Sequence, residues 1–430
     1  MNIKSLLLGS AAALVAVSGA RAADVIMVEP EPVEYVRVCD VYGAGFFYLP
    51  GTETCLRISG QVRLQINVAG DPAQNLEGDD YNVASRVRAR LNFDVREETE
   101  LGLLRAFARI QAQNTSGANN GVDVTQGYVQ LGGLLLGYRD SLWTNDIGGI
   151  EDGLLTDTDL IAGDFSQNQI SYTFAAGGFS ATVGLEDDGT GDAVPDVHGK
   201  LVYSGAWGGA FVSAVYDETV NAGFGTFGTS FAEDEFNSGN LPGGVNFPFF
   251  GGFDLPSLLD DGSNEAFAIK AGLKLRDLLV ADSTLAIEGH WASDPTPYAG
   301  MGGILVGVPA GVIGGTAFGG GNVNVPLIAE WAIGAGYRQQ VSDFSVAVAG
   351  QYGELFDTSL TFVSPGATFE TAAFGGDFYR LVGNVGYNFT NNFGVLAEVA
   401  YTDVSFETID GVDLGSSDQT TGFLRFARNF

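Results

Sequence analysis

Side chains that change character at every second residue, repeated along most of the chain, constrain the fold more than any other feature. Between Ile58 and Val68, one set comprises Ile58, Val62, Leu64, Ile66 and Val68, and the other Ser59, Gln61, Arg63, Gln65 and Asn67. From Ser85 to Arg96, Val87, Ala89, Leu91, Phe93 and Val95 alternate with Arg86, Arg88, Arg90, Asn92, Asp94 and Arg96. After a Glu97-Glu98-Thr99-Glu100 turn, Leu104, Ala106, Ala108, Ile110 and Ala112 oppose Arg105, Arg109, Gln111 and Gln113. Successive side chains of a strand point to opposite faces, so each segment is a β-strand with one apolar and one polar face. The same pattern recurs near 122–132, 134–141, 168–175, 178–186, 197–204, 208–217, 264–275, 281–292, 325–338, 344–353, 377–389, 392–403 and 417–430. With the first three, that predicts about 16 strands.

The connections decide which all-β architecture this is. Tight turns at 131–134, 176–178, 205–208 and 391–392 separate longer acidic or Gly-rich loops at roughly 142–167, 218–263, 293–324 and 354–376. Short turns on one rim and long loops on the other describe a transmembrane antiparallel β-barrel. A soluble sandwich would bury its apolar faces and would rarely place four arginines on the opposite face of one strand. Aromatics near strand ends (Tyr138, Tyr172, Phe174, Phe179, Tyr203, Trp207, Tyr387, Phe389, Phe393) fit interfacial girdles. With 52 acidic and 20 basic residues, the net charge of −32 would repel a phosphate backbone, which excludes nucleic acid as a partner. The uncharged stretch from Pro295 to Ala329 is too rich in glycine for a helix, at about 1 kcal/mol per Gly, and reads as a loop.

The chain opens with Lys4, an apolar run from Leu6 to Val17, and Ala20-Arg21-Ala22, the layout of a secretory signal peptide over residues 1–22. A membrane-anchoring helix would need about 18 or more apolar residues. Residues 23–55 then form an N-terminal periplasmic segment and 56–430 the barrel. Cys39 and Cys55 are the only cysteines. Exported thiols tend to pair, and a short loop closed this way gains about 3 kcal/mol.

Signals of catalysis are thin. His198 and His290 are the only histidines and sit on separate strands, and no Gly-x-Ser-x-Gly elbow is present. A barrel-embedded lipase would have to use one of them. No His/Cys cluster has zinc-ligand character, and no cofactor is expected. Glu186, Asp187, Asp188 and Asp192 could hold Ca²⁺ but match no EF-hand loop and read as a solvated acidic tip. Gly223, Gly225 and Gly228 match Gly-x-Gly-x-x-Gly by chance, since no helical pattern follows.

The informative constellation is an arginine ladder. Arg63, Arg86, Arg88, Arg90, Arg105 and Arg109 lie on three successive strands, on the face opposite the apolar residues. On a lipid face at mid-membrane each charge would cost about 2–4 kcal/mol, so they must point inward. The segment after the fifth strand carries Asp146, Glu151, Asp152, Asp157, Asp159 and Asp164. Folded into the lumen over about 142–167, it would set an acidic loop against a basic wall across an aqueous gap, a size-limiting constriction. An outward, solvated loop is the plainer alternative.

The sequence Glu31-Pro32-Val33-Glu34-Tyr35-Val36-Arg37-Val38-Cys39-Asp40, with Tyr42-Gly43-Ala44-Gly45-Phe46-Phe47-Tyr48 and Pro50-Gly51-Thr52-Glu53-Thr54-Cys55-Leu56-Arg57-Ile58-Ser59-Gly60, resembles the start of alphaproteobacterial general porins, the matrix porins of rhizobia and brucellae. Asn168-Gln169-Ile170-Ser171-Tyr172 resembles the strand after the constriction loop in porins. The ending Phe423-Leu424-Arg425-Phe426, with basic Arg428 and a terminal Phe430, is similar to that family as well. The resemblance implies a 16-stranded barrel, a homotrimer, and an inward-folded third loop facing basic wall residues. A terminal Phe is the assembly signal of bacterial outer-membrane barrels, implying barrel assembly machinery as a partner beside the bilayer and lipopolysaccharide. The chain departs from the family in its acidity and in its Gly-rich segment near 295–329. The expected function is passive diffusion of small hydrophilic solutes and ions, modestly cation-selective. The rivals are a substrate-specific channel and the barrel lipase.

Overall fold

The computed structural model describes residues 37–72, 74, 78–159, 162–189, 193–218, 265–278, 280–308, 311–313, 316–318, 321–364, 367–407 and 415–430. The expected signal peptide, Asp192 and the chance glycine match at Gly223, Gly225 and Gly228 lie outside the described residues. Sixteen antiparallel strands follow one another round a closed barrel. They are β1 (Cys55–Gly70), β2 (Tyr81–Thr99), β3 (Gly102–Thr115), β4 (Ala118–Leu131), β5 (Leu134–Asp140), β6 (Ser166–Ala176), β7 (Phe179–Glu186) and β8 (Asp196–Gly205). The second half comprises β9 (Gly208–Asp217), β10 (Ala266–Arg276), β11 (Ser283–Ala292), β12 (Gly321–Val341), β13 (Phe344–Ser364), β14 (Ala367–Thr390), β15 (Phe393–Phe406) and β16 (Ser416–Asn429). Each pairs with its sequence neighbours, and β16 pairs with β1 from Gln61↔Asn429 to Ala69↔Thr421, which closes the ring. Phe430 continues this pairing through two backbone hydrogen bonds with Gly60, of 2.9 and 3.0 Å. Closure leaves no strand edge, the condition for β-structure in hydrocarbon.

The alternation sorts as the sequence requires. On β1, Val62, Leu64, Ile66 and Val68 face outward while Arg63, Gln65 and Asn67 are buried within. Val183 is 65% exposed and Val385 51%, yet their strand neighbours Thr182 and Asn384 are buried. An apolar surface of this extent is stable only against lipid, since exposure to water costs roughly 25 cal/mol per Å². Outward aromatics bracket it. Trp331–Tyr352 and Tyr379–Tyr401 lie toward one rim, with ring centroids 5.7 and 6.0 Å apart. Phe344, Tyr387, Phe389 and Phe393 form a contiguous run toward the other. Tyr379 and Tyr387 are eight residues apart on β14, about 26 Å along a strand, which is the scale of a membrane's apolar band.

One rim carries short turns. Gly177 and Gly178, both with positive φ (59° and 83°), join β6 to β7 in a two-residue hairpin that matches the strand twist. Two connections on the other rim differ from expectation. The region 354–376, expected as a loop, is largely strand: β13 and β14 continue their pairing from Thr358↔Phe374 to Ser364↔Ala367. In the Gly-rich stretch, a 3₁₀ turn at Pro297–Ala299 leads into a strand, Gly300–Val308, paired with Gly321–Ile328 of β12, and a small hairpin joins Gly311–Ile313 to Thr316–Phe318. Glycine disfavours helix, but it leaves backbone donors and acceptors that still need partners, and sheet pairing provides them.

Outside the barrel proper, Cys39 and Cys55 form a disulfide that ties residues 37–48 to the start of β1. Phe46 and the two cysteines are buried together there, and Phe47–Tyr48 pairs with Cys55 and Leu56.

Candidate functional site

The segment between β5 and β6, residues 141–165, lies inside the barrel and is tied to the wall along its length. At its start, Ser141 Oγ and the Leu142 amide donate to Glu186 of β7 at 2.7 and 2.6 Å. Lys200 of β8 donates to the Asn145 carbonyl at 2.6 Å, and Ile150 packs on Val202 and Phe211. Asp152 accepts from Lys270 of β10 at 2.8 Å, and the Gly153 amide donates to Glu288 of β11 at 3.0 Å. Leu154 enters a recess formed by Ala349, Val382 and Ala400, and Arg338 of β12 donates to the Leu155 carbonyl. Farther round, the Asp157 amide donates to Glu398 of β15 at 2.8 Å, and the Asp157 carboxylate takes both ends of the Arg425 guanidinium, one at 2.6 Å. The anchors run from β7 to β16. Bidentate pairs of this kind are the strong, orienting ones.

The return limb is closed on itself. Trp143 Nε1 donates to the Ala162 carbonyl at 2.8 Å, and Trp143 and Phe165 flank the Tyr298 ring at 5.9 and 5.1 Å. Tyr298 belongs to the Gly-rich segment, which therefore folds inward onto the loop. The Gly163 amide donates to the Gly300 carbonyl at 2.8 Å. Tyr298 Oη donates to Asp196 at 2.6 Å, Thr296 to Asp217 at 2.5 Å, and His198 Nε2 lies 3.2 Å from Glu186. Burial raises the Tyr298 phenol well above its ordinary value, so it remains a donor. Glu186, one of the residues weighed for Ca²⁺, is occupied by Ser141, Leu142 and His198. His290 Nε2 lies 3.2 Å from the Ala329 carbonyl.

The sector from β1 to β3 carries the arginines, in rungs. Arg425, Gln65, Arg86 and Thr115 share one rung, and Arg63, Arg88 and Gln113 the next. Gln61, Arg90 and Gln111 follow, then Asn92 with Arg109, and finally Arg96 opposite Arg105, three residues from the turn. Like charges directly opposite are unfavourable, and amide oxygens intervene: Arg88 donates to Gln113 at 3.3 Å, Arg90 to Gln111 at 2.6 and 2.9 Å, Arg109 to Asn92 at 3.0 Å and Arg425 to Gln65 at 2.7 Å. Arg105 and Arg96 both clasp Asp94, at 2.9 and 2.7 Å. The six expected arginines thus separate into a buried group (Arg63, Arg86, Arg88) and a partly open one (Arg90, Arg105, Arg109), with Arg105 near the short-turn rim.

The six loop acids divide as well. Asp152 and Asp157 hold wall cations, and Asp159 accepts from the Leu154 amide. Burial pushes the Asp159 carboxyl up to about 7. Asp146, Glu151, Asp157 and Asp164 remain exposed. Sequence reasoning missed Lys200, Lys270, Arg338 and Arg425 as loop anchors. A signal existed for one of them: Lys270 shares a face of β10 with Ala268 and Lys274, by the same two-residue period.

Three comparisons bear on the chain. The family model of the porin subfamily matches residues 24–423. Porin Omp2b of Brucella suis is 42% identical over 247 residues, covering 51% of this chain and 67% of that protein. Porin Omp2b of Brucella melitensis matches with the same identity and coverage. Among solved structures, the outer membrane channel DcaP of Acinetobacter baumannii superposes with a TM-score of 0.55 at 13% identity, covering 89% of this chain and 99% of that one, a likeness of fold.

Proposed function

This chain belongs to the porin subfamily, and from that premise we propose that it is a general diffusion porin, passing small hydrophilic solutes and ions down their gradients. It is an outer-membrane β-barrel channel of a family of channels, not of enzymes. The observation that supports the finer reading is the loop 141–165, bound to the inner wall from β7 to β16, which leaves the arginine-bearing strands β1 to β3 to line the remaining passage. In this reading the loop is the constriction, with exposed Asp146, Glu151, Asp157 and Asp164 on one side and Arg90, Arg105 and Arg109 on the other.

A modest preference for cations follows from the same arrangement. The chain carries −32 overall, which raises the local concentration of cations at the mouth, while Arg63, Arg86 and Arg88 have little contact with water. Planar-bilayer recordings in a salt gradient test this. The reversal potential should favour the cation, and replacing Arg86, Arg88 and Arg90 by Gln should strengthen that preference. A native channel favouring chloride overturns the selectivity, and a purified protein without conductance overturns the diffusion reading. We also propose a homotrimer, supported by family membership. Sedimentation in detergent should give three times the chain mass.

A further inference from the structure

At Leu142, Ile150 and Leu154 the loop lies against glycines of the barrel wall. On the inner face of β7, a Cβ built on Gly184 would overlap the Leu142 side chain. On β9, a Cβ on Gly209 would fall on the Ile150 side chain, with Ile150 Cγ1 at 2.8 Å. On β12, a Cβ on Gly334 would overlap Leu154 Cδ1, and one on Gly336 would overlap the Leu154 carbonyl oxygen, with its carbon at 2.7 Å. All four glycines occupy inward positions of the two-residue alternation, where the corresponding positions of β1 and β2 hold Arg63, Gln65, Arg86 and Arg88. Removing the side chain at these points lets the loop approach by roughly the thickness of a methyl group, since heavy atoms in contact stand about 3.5–4.0 Å apart.

We propose that Gly184, Gly209, Gly334 and Gly336 are positioning residues that set how far the loop stands off the wall, and thereby the bore left to solutes. The inference rests on the reading of the loop as the constriction. Its geometry makes two kinds of seat. Those at Gly184 and Gly334 receive a side chain, so shortening that side chain restores the space. The seat at Gly336 receives backbone, which no substitution at Leu154 shortens.

The test is single-channel conductance, with exclusion of neutral sugars, of the full protein in planar bilayers, with barrel closure checked by gel mobility before and after heating. Gly334→Ala should lower conductance and the sugar cut-off, and adding Leu154→Ala should restore both. Gly336→Ala should lower both without rescue by Leu154→Ala. Gly184→Ala with Leu142→Ala repeats the rescue at an independent seat, so a folding failure at one site leaves the other decisive. Unchanged conductance in closed-barrel glycine variants, or a loss at Gly334 or Gly184 that the partner truncation does not reverse, overturns the proposal. Asp157→Asn is recorded in parallel. If it shifts the reversal potential while the glycine variants change nothing, only the glycine inference falls; if it shifts nothing, the constriction reading falls with it.

Discussion

At the residue scale, charge in this lumen is used in two ways that composition alone does not separate. Asp157 and Arg425 hold one another in a two-pronged pair, with Gln65 on the other edge of the guanidinium. Arg425 is the buried partner and Asp157 the open one, so removing the guanidinium frees the loop end while leaving Asp157 to water. Arg425→Ala should therefore loosen the end of the loop more than Arg425→Gln does, and increased open-channel current noise would report it. Asp159 is different: burial pushes it up to about 7, so it gains its proton as pH falls through neutrality. The loop then carries less negative charge, and the preference for cations should fall between pH 8 and pH 6. Asp159→Asn should flatten that slope, and an undiminished pH dependence in the variant would refute the assignment.

At the element scale, what is legible from sequence depends on how far one strand's character is its own. β2 is readable because Arg86, Arg88 and Arg90 interleave with Val87, Ala89 and Leu91, so one face is charged and the other apolar. The inward course of the loop is partly readable, since a lipid-facing arginine is ruled out and acids follow β5. Its anchors are not, because Lys200, Lys270 and Arg425 meet it from strands distant in sequence, and pairing at that range leaves no local pattern. The segment 295–329 is misread for a related reason: glycine lacks a side chain to alternate, so a strand such as Gly300–Val308 has no visible period. The disulfide belongs to this scale as well. Reducing Cys39–Cys55 should cost roughly 3 kcal/mol and release the small cap on β1. The barrel's own ladder should survive, so the reduced protein should still shift on heating in gels, at a lower temperature.

For the whole molecule, the apolar exterior is the controlling condition. Val385 lies on the outer face of β14 between the aromatic rows at Tyr379 and Tyr387. Arginine there, two residues inside the Tyr387 row, should cost less than the ~2–4 kcal/mol of the bilayer midplane and more than the ~0–1 kcal/mol of the interface, measurable as a lower denaturant midpoint for the refolded barrel. The same substitution at an outward site beyond the aromatic rows should cost about 0–1 kcal/mol. A uniform penalty irrespective of depth would contradict the placement of the lipid band. The interior is divided too, into a sector where glycines, lysines and carboxylates receive the loop and a sector of arginines and amides. A net charge of −32 conceals this division, because the acids and bases are sorted by position and not by number.

The seam between the last strand and the first has a temporal meaning. Gln61 and Asn429 stand 368 residues apart in sequence yet share a hydrogen bond, so β1 acquires its second neighbour only once β16 is synthesised. Until then β1 and β15 each present a bare ladder of donors and acceptors, a template for pairing with any other unfinished chain. A ribosome that stops before Ser416 leaves a chain that cannot close this seam.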